Sequence, residues 1–253
     1  MQKHAEICGI PLHSAPKEFF LDAIEQQITQ KSNGHYISIT NTESMYHAKR
    51  KPENFDYIRS ADFSFCDGIG VVVVGWFWGH KITRYTGPTF ELDCVDYGQS
   101  RGWRHFFYGG REGVADKMVE KLKEQFPGMI SAGTYCPPFR ELTPEEDEAV
   151  VNMINDARPD IVWVGLGLPK QEMWIARHRH RVQAPWMCGV GAAFDFHSGT
   201  IPRSPRWMST LGLEWVFRLS LQPQLKAKRY WWSLLFSIEA AWAGIKQKAF
   251  HRS

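Results

Sequence analysis

Thr143–Glu172 reads TPEEDEAVVNMINDARPDIVWVGLGLPKQE, and this stretch decides the fold class. The Thr143 hydroxyl suits a helix N-cap and Pro144 suits the first turn. That helix should run to about Ala157, with Pro159 marking the stop. Ile161–Leu166 (IVWVGL) follows as an unbroken apolar run of strand length, the pattern of a buried strand. Gly165 and Gly167 then turn the chain, and Gln171 and Glu172 fall in the first turn of another helix. A helix, a buried strand, a glycine turn and a second helix in succession point to a sheet layered with helices.

The alternation extends in both directions. Tyr36–Thr40 (YISIT), Phe63–Cys66 (FSFC), His105–Tyr108 (HFFY) and Trp186–Val190 (WMCGV) read as strands. Glu18–Thr29 places Phe20, Ala23, Ile24 and Ile28 on one side of a helix, and Val114–Phe126 does the same with Val114, Met118, Leu122 and Phe126. The expected architecture is a mostly parallel α/β sheet with helices on both faces. The chain has 253 residues, room for one or two domains. Hydrophobic residues make up 43% and charged residues 23%, so a sizeable core is available and disorder is not expected.

Composition changes near Ile201. Residues 201–253 hold nine Lys/Arg against Glu214 and Glu239, a net +7 that leaves residues 1–200 at −4 within the overall +3. Trp207, Trp215, Trp231, Trp232 and Trp242 are interleaved with that charge. Residues 1–200 are therefore expected to form the α/β domain and residues 201–253 a helical appendage. Cations mixed with aromatic rings suit an anionic membrane surface. The plainer alternative is a basic helix packed on the body by its aromatics. Nucleic acid fits less well, because no recognition motif accompanies the charge. No run of eighteen uncharged apolar residues occurs, which argues against a conventional spanning helix. Met1–Glu6 leads into no apolar run, so no secretory signal is expected. Five scattered cysteines without a CxxC pair speak against zinc and a disulfide framework, and for a reducing, cytosolic compartment.

In open α/β sheets, ligands bind beyond the carboxyl ends of the strands. Asn41, in Thr40-Asn41-Thr42-Glu43, stands at one such end, although Asn is also a common N-cap and Glu43 suits the helix dipole. Asp67, in Cys66-Asp67-Gly68-Ile69-Gly70, stands at another. Partly desolvated, it could serve as a general base; otherwise it belongs to an ordinary Asp-Gly turn. Arg84 suits a diphosphate through its planar fork, or it is simply an exposed arginine. Gly109 and Gly110 precede a helix, where backbone N–H groups can hold an anion, and the same pattern describes a tight turn. Gly167 and Gly191 lie in two further glycine-rich strand ends, and Asp195 near the second reads as a buried structural acceptor. No GxGxxG, GxSxG or DxD is present, no carboxylate pair has ligand spacing, and His178 and His180 would not face each other on a helix. No metal is expected. The combination fits a nucleotide-diphosphate donor bound without one.

At this point the motifs resemble the WecG/TagA/CpsF glycosyltransferases, glycosyltransferase family 26. The resemblance runs from about Ile7 to Arg229. It is carried by Asn41-Thr42-Glu43, Cys66 through Gly70, Arg84 through Gly87, Gly165 through Glu172, Gly191 through Phe196, and Gly212-Leu213-Glu214-Trp215-Val216-Phe217-Arg218-Leu219. It implies a Rossmann-like fold of the type called GT-E and an inverting transferase that needs no metal or other cofactor. Such enzymes move a sugar from a UDP-sugar to a sugar on an undecaprenyl-diphosphate carrier, at the inner face of the cytoplasmic membrane. By resemblance Asp67 matches the proposed general base, Asn41 and Arg84 match active-site positions, and Gln171 matches a donor-binding position. The appendage would complete the site and help membrane association; Arg218 matches one of its basic residues, and Lys228 and Arg229 fall near others. Two positions depart from the family pattern: Ile39 where Thr is frequent, and Thr89 where Asp is usual. The expected partners are the UDP-sugar, the polyprenyl-diphosphate-linked acceptor and the membrane surface, with a homo-oligomer left open. Two other classes compete. A nucleotide-dependent oxidoreductase lacks its glycine fingerprint, and a non-catalytic membrane-surface protein would bind nucleotide sugar without turnover.

Overall fold

A computed structural model describes residues 3–250; Met1, Gln2 and His251–Ser253, the end of the expected appendage, lie outside the described residues. The elements run β1 (Lys3–Ile7), β2 (Ile10–Ser14), α1 (Lys17–Gln30), β3 (His35–Thr40), α2 (Thr42–Arg50), α3 (Pro52–Arg59) and β4 (Phe63–Cys66). Next come α4 (Ile69–Trp78), α5 (Gly87–Gln99), β5 (Arg104–Gly109), α6 (Val114–Gln125), β6 (Ile130–Tyr135), α7 (Pro144–Ala157) and β7 (Ile161–Gly165). The chain ends with α8 (Lys170–His178), β8 (Trp186–Gly189), α9 (Ala193–His197), α10 (Arg206–Thr210), α11 (Glu214–Leu221) and α12 (Pro223–Phe250). Six strands form one sheet in the order β4-β3-β8-β7-β5-β6. The β3–β8, β8–β7, β7–β5 and β5–β6 pairs are parallel. This is the expected α/β class.

The α7 helix starts as its residues dictate. Thr143 Oγ1 accepts from Glu146 N–H, and the Glu146 carboxylate accepts from Thr143 N–H at 2.9 Å, closing a capping box. Three strands escape sequence reading. β1 and β2 form an antiparallel hairpin whose turn residues, Cys8 and Gly9, both have positive φ. β6 carries a register shift against β5 and a glycine at φ +154, which blurs its apolar pattern.

Contacts divide the chain into two units. The first comprises the chain up to Ala15, Ile39–Thr86 and the chain from Pro202 onward; the second comprises Pro16–Ser38 and Gly87–Ile201. The composition change at Ile201 is thus also a boundary, and the segment after it groups with Ile39–Thr86.

The first unit packs Ile7, Leu12, Met45, Val74, Phe236 and Ala240 into one core. Within it α12 turns Ser233, Phe236, Ala240 and Gly244 inward, a spacing of three, four and four residues. The Trp78 indole N–H donates to the Ala240 carbonyl at 2.8 Å. A side chain at Gly244 would overlap the Trp78 ring, so the close approach of α4 and α12 requires glycine there. The opposite side of α12 leaves Trp231, Leu234, Ile238, Trp242 and Ile245 exposed.

The second unit buries Trp163, Phe90, Phe106, Phe107 and Phe194 completely. Trp163 Nε1–H donates to His105 Nδ1 at 3.1 Å, and burial pushes the imidazole down to about 3, so it stays neutral. Truncating a Trp so placed costs about 3–5 kcal/mol.

Candidate active site

In the first unit the Asp67 loop is held from three sides. Asp67 N–H donates to the Thr40 carbonyl at 2.8 Å, which locks the end of β4 to the residue before Asn41. Gly70 lies against Thr42, and a Cβ there would come within 2.7 Å of the Thr42 methyl. Gly212, from the C-terminal segment, lies against Ile69. The Asp67 carboxyl sits half-buried among Arg218, Glu214 and Arg84. Burial pushes it up to about 6, helped by Glu214 and opposed by the two guanidinium groups. A carboxyl so placed is ionised at neutral pH yet basic enough to take a proton.

The candidate arginines of the first unit are each fixed. Arg84 Nη2 donates to the Ser209 carbonyl at 2.8 Å, and Cys66 and Arg84 form a parallel bridge. Arg218 Nη2 donates to Glu214 Oε1 at 2.8 Å, one helical turn away. Arg229 donates through Nε and Nη2 to the two Glu43 oxygens at 2.6 and 2.7 Å. Burial would raise the Glu43 carboxyl, but hydrogen bonds from His47 and Arg229 outweigh it and hold the group below its usual range. The phenol of Tyr230 feels both Arg218 and Arg229, along with Glu214 and Glu43. Asn41 caps α2: its Oδ1 accepts from Glu43 N–H at 2.9 Å and Ser44 N–H at 3.0 Å. That is the plainer reading of Asn41, and it leaves the amide nitrogen outside the cap. Lys228 is exposed on α12 and joins none of these contacts among the described residues.

In the second unit Gln171 is buried at the start of α8. Its Nε2 donates to Glu172 Oε1 at 3.3 Å, and its Oε1 has no hydrogen-bond partner among the described residues. The amide lies against Gly189 and Gly191, where a Cβ at Gly189 would come within 2.8 Å of Nε2. Gly167 accepts from Gln171 N–H at 3.0 Å. Gly109 and Gly110 form a tight turn in which Gly110 N–H donates to Gly165 O at 3.0 Å, so this donor serves the fold. Asp195 is not the buried acceptor expected from the sequence: it is partly exposed and accepts from Arg111 Nη2 at 3.4 Å. His178 is structural, lying within 2.7 Å of the Trp174 carbonyl and 2.8 Å of Asp147.

The structure thus places Asn41, Asp67, Arg84, Arg218, Lys228 and Arg229 in the first unit, and Gly109, Gly110, Gly167, Gln171 and Gly191 in the second. Sequence reading missed what Glu43, Glu214 and Ser209 do. The spacing of Glu214 and Arg218 was a usable signal; the reach of Glu43 to Arg229 across the sequence was not.

A sequence model described as the Glycosyl transferase WecG/TagA/CpsF family matches residues 5–251. The chain belongs to this family. It is 31% identical over 218 residues to a protein of Bacillus subtilis (strain 168), covering 86% of this chain and 83% of that one. A second relative, from Bacillus spizizenii (strain ATCC 23059 / NRRL B-14472 / W23), is 31% identical over 81% of this chain and 78% of its own. A third, from Staphylococcus aureus (strain NCTC 8325 / PS 47), is 28% identical over 75% of this chain and 73% of its own. All three are named N-acetylglucosaminyldiphosphoundecaprenol N-acetyl-beta-D-mannosaminyltransferase. The chain is accordingly a glycosyltransferase, with its α/β sheet and C-terminal helices accounted for by the family.

Proposed function

We propose that this glycosyltransferase moves N-acetylmannosamine, or a closely related sugar, from a UDP-sugar to a polyprenyl-diphosphate-linked sugar, with inversion and without a metal ion. The names of the relatives support the transferred sugar and the acceptor. The observation that carries the chemistry is Asp67: a carboxyl raised to about 6 by burial, at a strand end, against the opposing pull of Arg218 and Arg84.

Asp67 takes the proton from the acceptor hydroxyl as that oxygen attacks the anomeric carbon. The bond to the UDP oxygen breaks on the opposite face, and the departing diphosphate gathers negative charge. Arg218 and Arg229 offset that charge, with Arg84 closing the same side; fixed cations in a partly dry site act more strongly than cations in water. The family resemblance, taken by itself, gives Gln171 a part in donor binding.

The proposed reaction occurs at the inner face of the cytoplasmic membrane. No helix among the described residues is long and apolar enough to cross a membrane. The outward side of α12, together with Trp76 and a groove of about 440 Å³ lined by Trp76, Phe77, Ile245, Lys248 and Ala249, supports contact with an anionic lipid surface. The test is UDP release in detergent, with chelator present, from a panel of UDP-sugars and a short-chain polyprenyl-diphosphate-linked N-acetylglucosamine. Acceptor-dependent release from UDP-N-acetylmannosamine is expected. Binding of UDP with no release across the panel would point to a non-catalytic role, and release only with added divalent metal would remove the metal-free mechanism.

A further inference from the structure

We propose that Glu43 is a positioning residue for catalysis: it holds the Arg229 guanidinium in the one orientation from which Arg229 serves the reaction at Asp67. The inference rests on the transferase reading above and adds a residue to it. Three consecutive residues at the start of α2 each do a different job. Asn41 caps the helix, Thr42 packs against Gly70 of the Asp67 loop, and Glu43 receives Arg229 through both carboxylate oxygens. One helical turn therefore sets the catalytic loop and the cation together.

The geometry separates this role from a simple tether. Paired contact from Nε and Nη2 fixes the plane of the guanidinium, which a single contact would leave free to rotate, and it leaves the other donors unspent. Glu43 is the more buried half, with a side-chain accessibility of 18% against 42% for Arg229, so the carboxylate is the anchor and the arginine the part presented outward. Attachment of α12 has other means: Trp78 to the Ala240 carbonyl, Lys49 to Glu239 at 2.6 Å, and Lys248 to the Trp76 carbonyl at 3.2 Å. Tyr230, the residue after Arg229, packs its ring edge-on against Trp215 at 5.9 Å, next in sequence to Glu214, the partner of Arg218.

A double-mutant cycle in the UDP-release assay tests this. Glu43→Gln keeps the size and one acceptor oxygen but removes the charge that fixes the pair. It should lower kcat/KM by about tenfold or more, the scale of a misplaced catalytic group. Arg229→Ala should lose a similar factor, and Glu43→Gln added to Arg229→Ala should change little further. Melting curves are taken alongside. If Glu43→Gln does not fold, Glu43→Asp, which keeps the charge and withdraws the carboxylate by one methylene, is used in the same cycle. Wild-type turnover in the Glu43 variant overturns the inference alone, as does a Glu43 loss of the same factor with and without Arg229. Absence of acceptor-dependent release from the wild-type enzyme overturns the transferase reading and this inference with it.

Discussion

The two units carry their candidate residues in opposite styles. The first uses charged side chains drawn from distant parts of the sequence, with Asp67, Arg84, Arg218 and Arg229 each pinned by a named partner. The second uses glycine turns around a buried amide, Gln171, whose hydrogen-bond partner is the buried Glu172 carboxylate. Charged groups in a partly dry setting can move protons and offset developing charge. Glycine backbone and an uncharged amide can bind and orient but cannot take a proton. On the proposed reading the chemical step belongs to Asp67 and a binding role to Gln171, and kinetics can break that assignment.

The largest effect should come from Asp67→Asn, which keeps the shape and removes the base. A fall in kcat of about a thousandfold is expected, within the range for loss of a general base, with the donor KM little changed. A loss that fell on KM instead would move Asp67 to the binding side. Gln171→Ala should do the converse. Donor KM should rise about tenfold, the cost of one hydrogen bond in a buried site, while kcat at saturation holds. If kcat fell and KM did not, the second unit would share in the chemical step.

The same contrast explains what the sequence revealed. The sheet strands other than β6 were legible, β7 as an unbroken apolar run, and α7 announces itself with Thr143-Pro144. Asp67 was legible because a carboxylate followed by Gly68 at the end of FSFC is chemically conspicuous. Glu43 was not. Its local context explained it fully as a first-turn acid, and its real partner lies 186 residues away. Asn41 shows the reverse case, since its side chain does perform the ordinary cap that local reasoning assigned to it. The C-terminal segment was legible as helical and basic. That it groups with Ile39–Thr86 was not, because such packing depends on Gly70, Gly212 and Gly244 each leaving room for a residue far off in sequence.

The smallest effect is the most discriminating, because it asks what Asp67 costs. Burial and Glu214 raise its carboxyl to about 6 against the pull of Arg218 and Arg84, whereas an unfolded Asp titrates near ~3.9. A raised acid is tolerated in the folded state while protonated. Its favourable contribution is present below the unfolded value and is lost as pH rises through about 6. Turnover needs the ionised form, so kcat/KM should climb through about pH 6 and level off above it. Asn holds the neutral form at every pH. Asp67→Asn should therefore melt higher than wild type at pH 7.5, by about 2–4 °C, the shift that about 1 kcal/mol produces in a chain of this size. The gap should narrow as pH falls from 7.5 to 5, because the wild-type carboxyl then becomes protonated too. A variant that melted lower than wild type at pH 7.5 would mean that the arginines outweigh burial. Asp67 would then be a stabilising ion-pair member with a lowered carboxyl, and the first unit would lose its base.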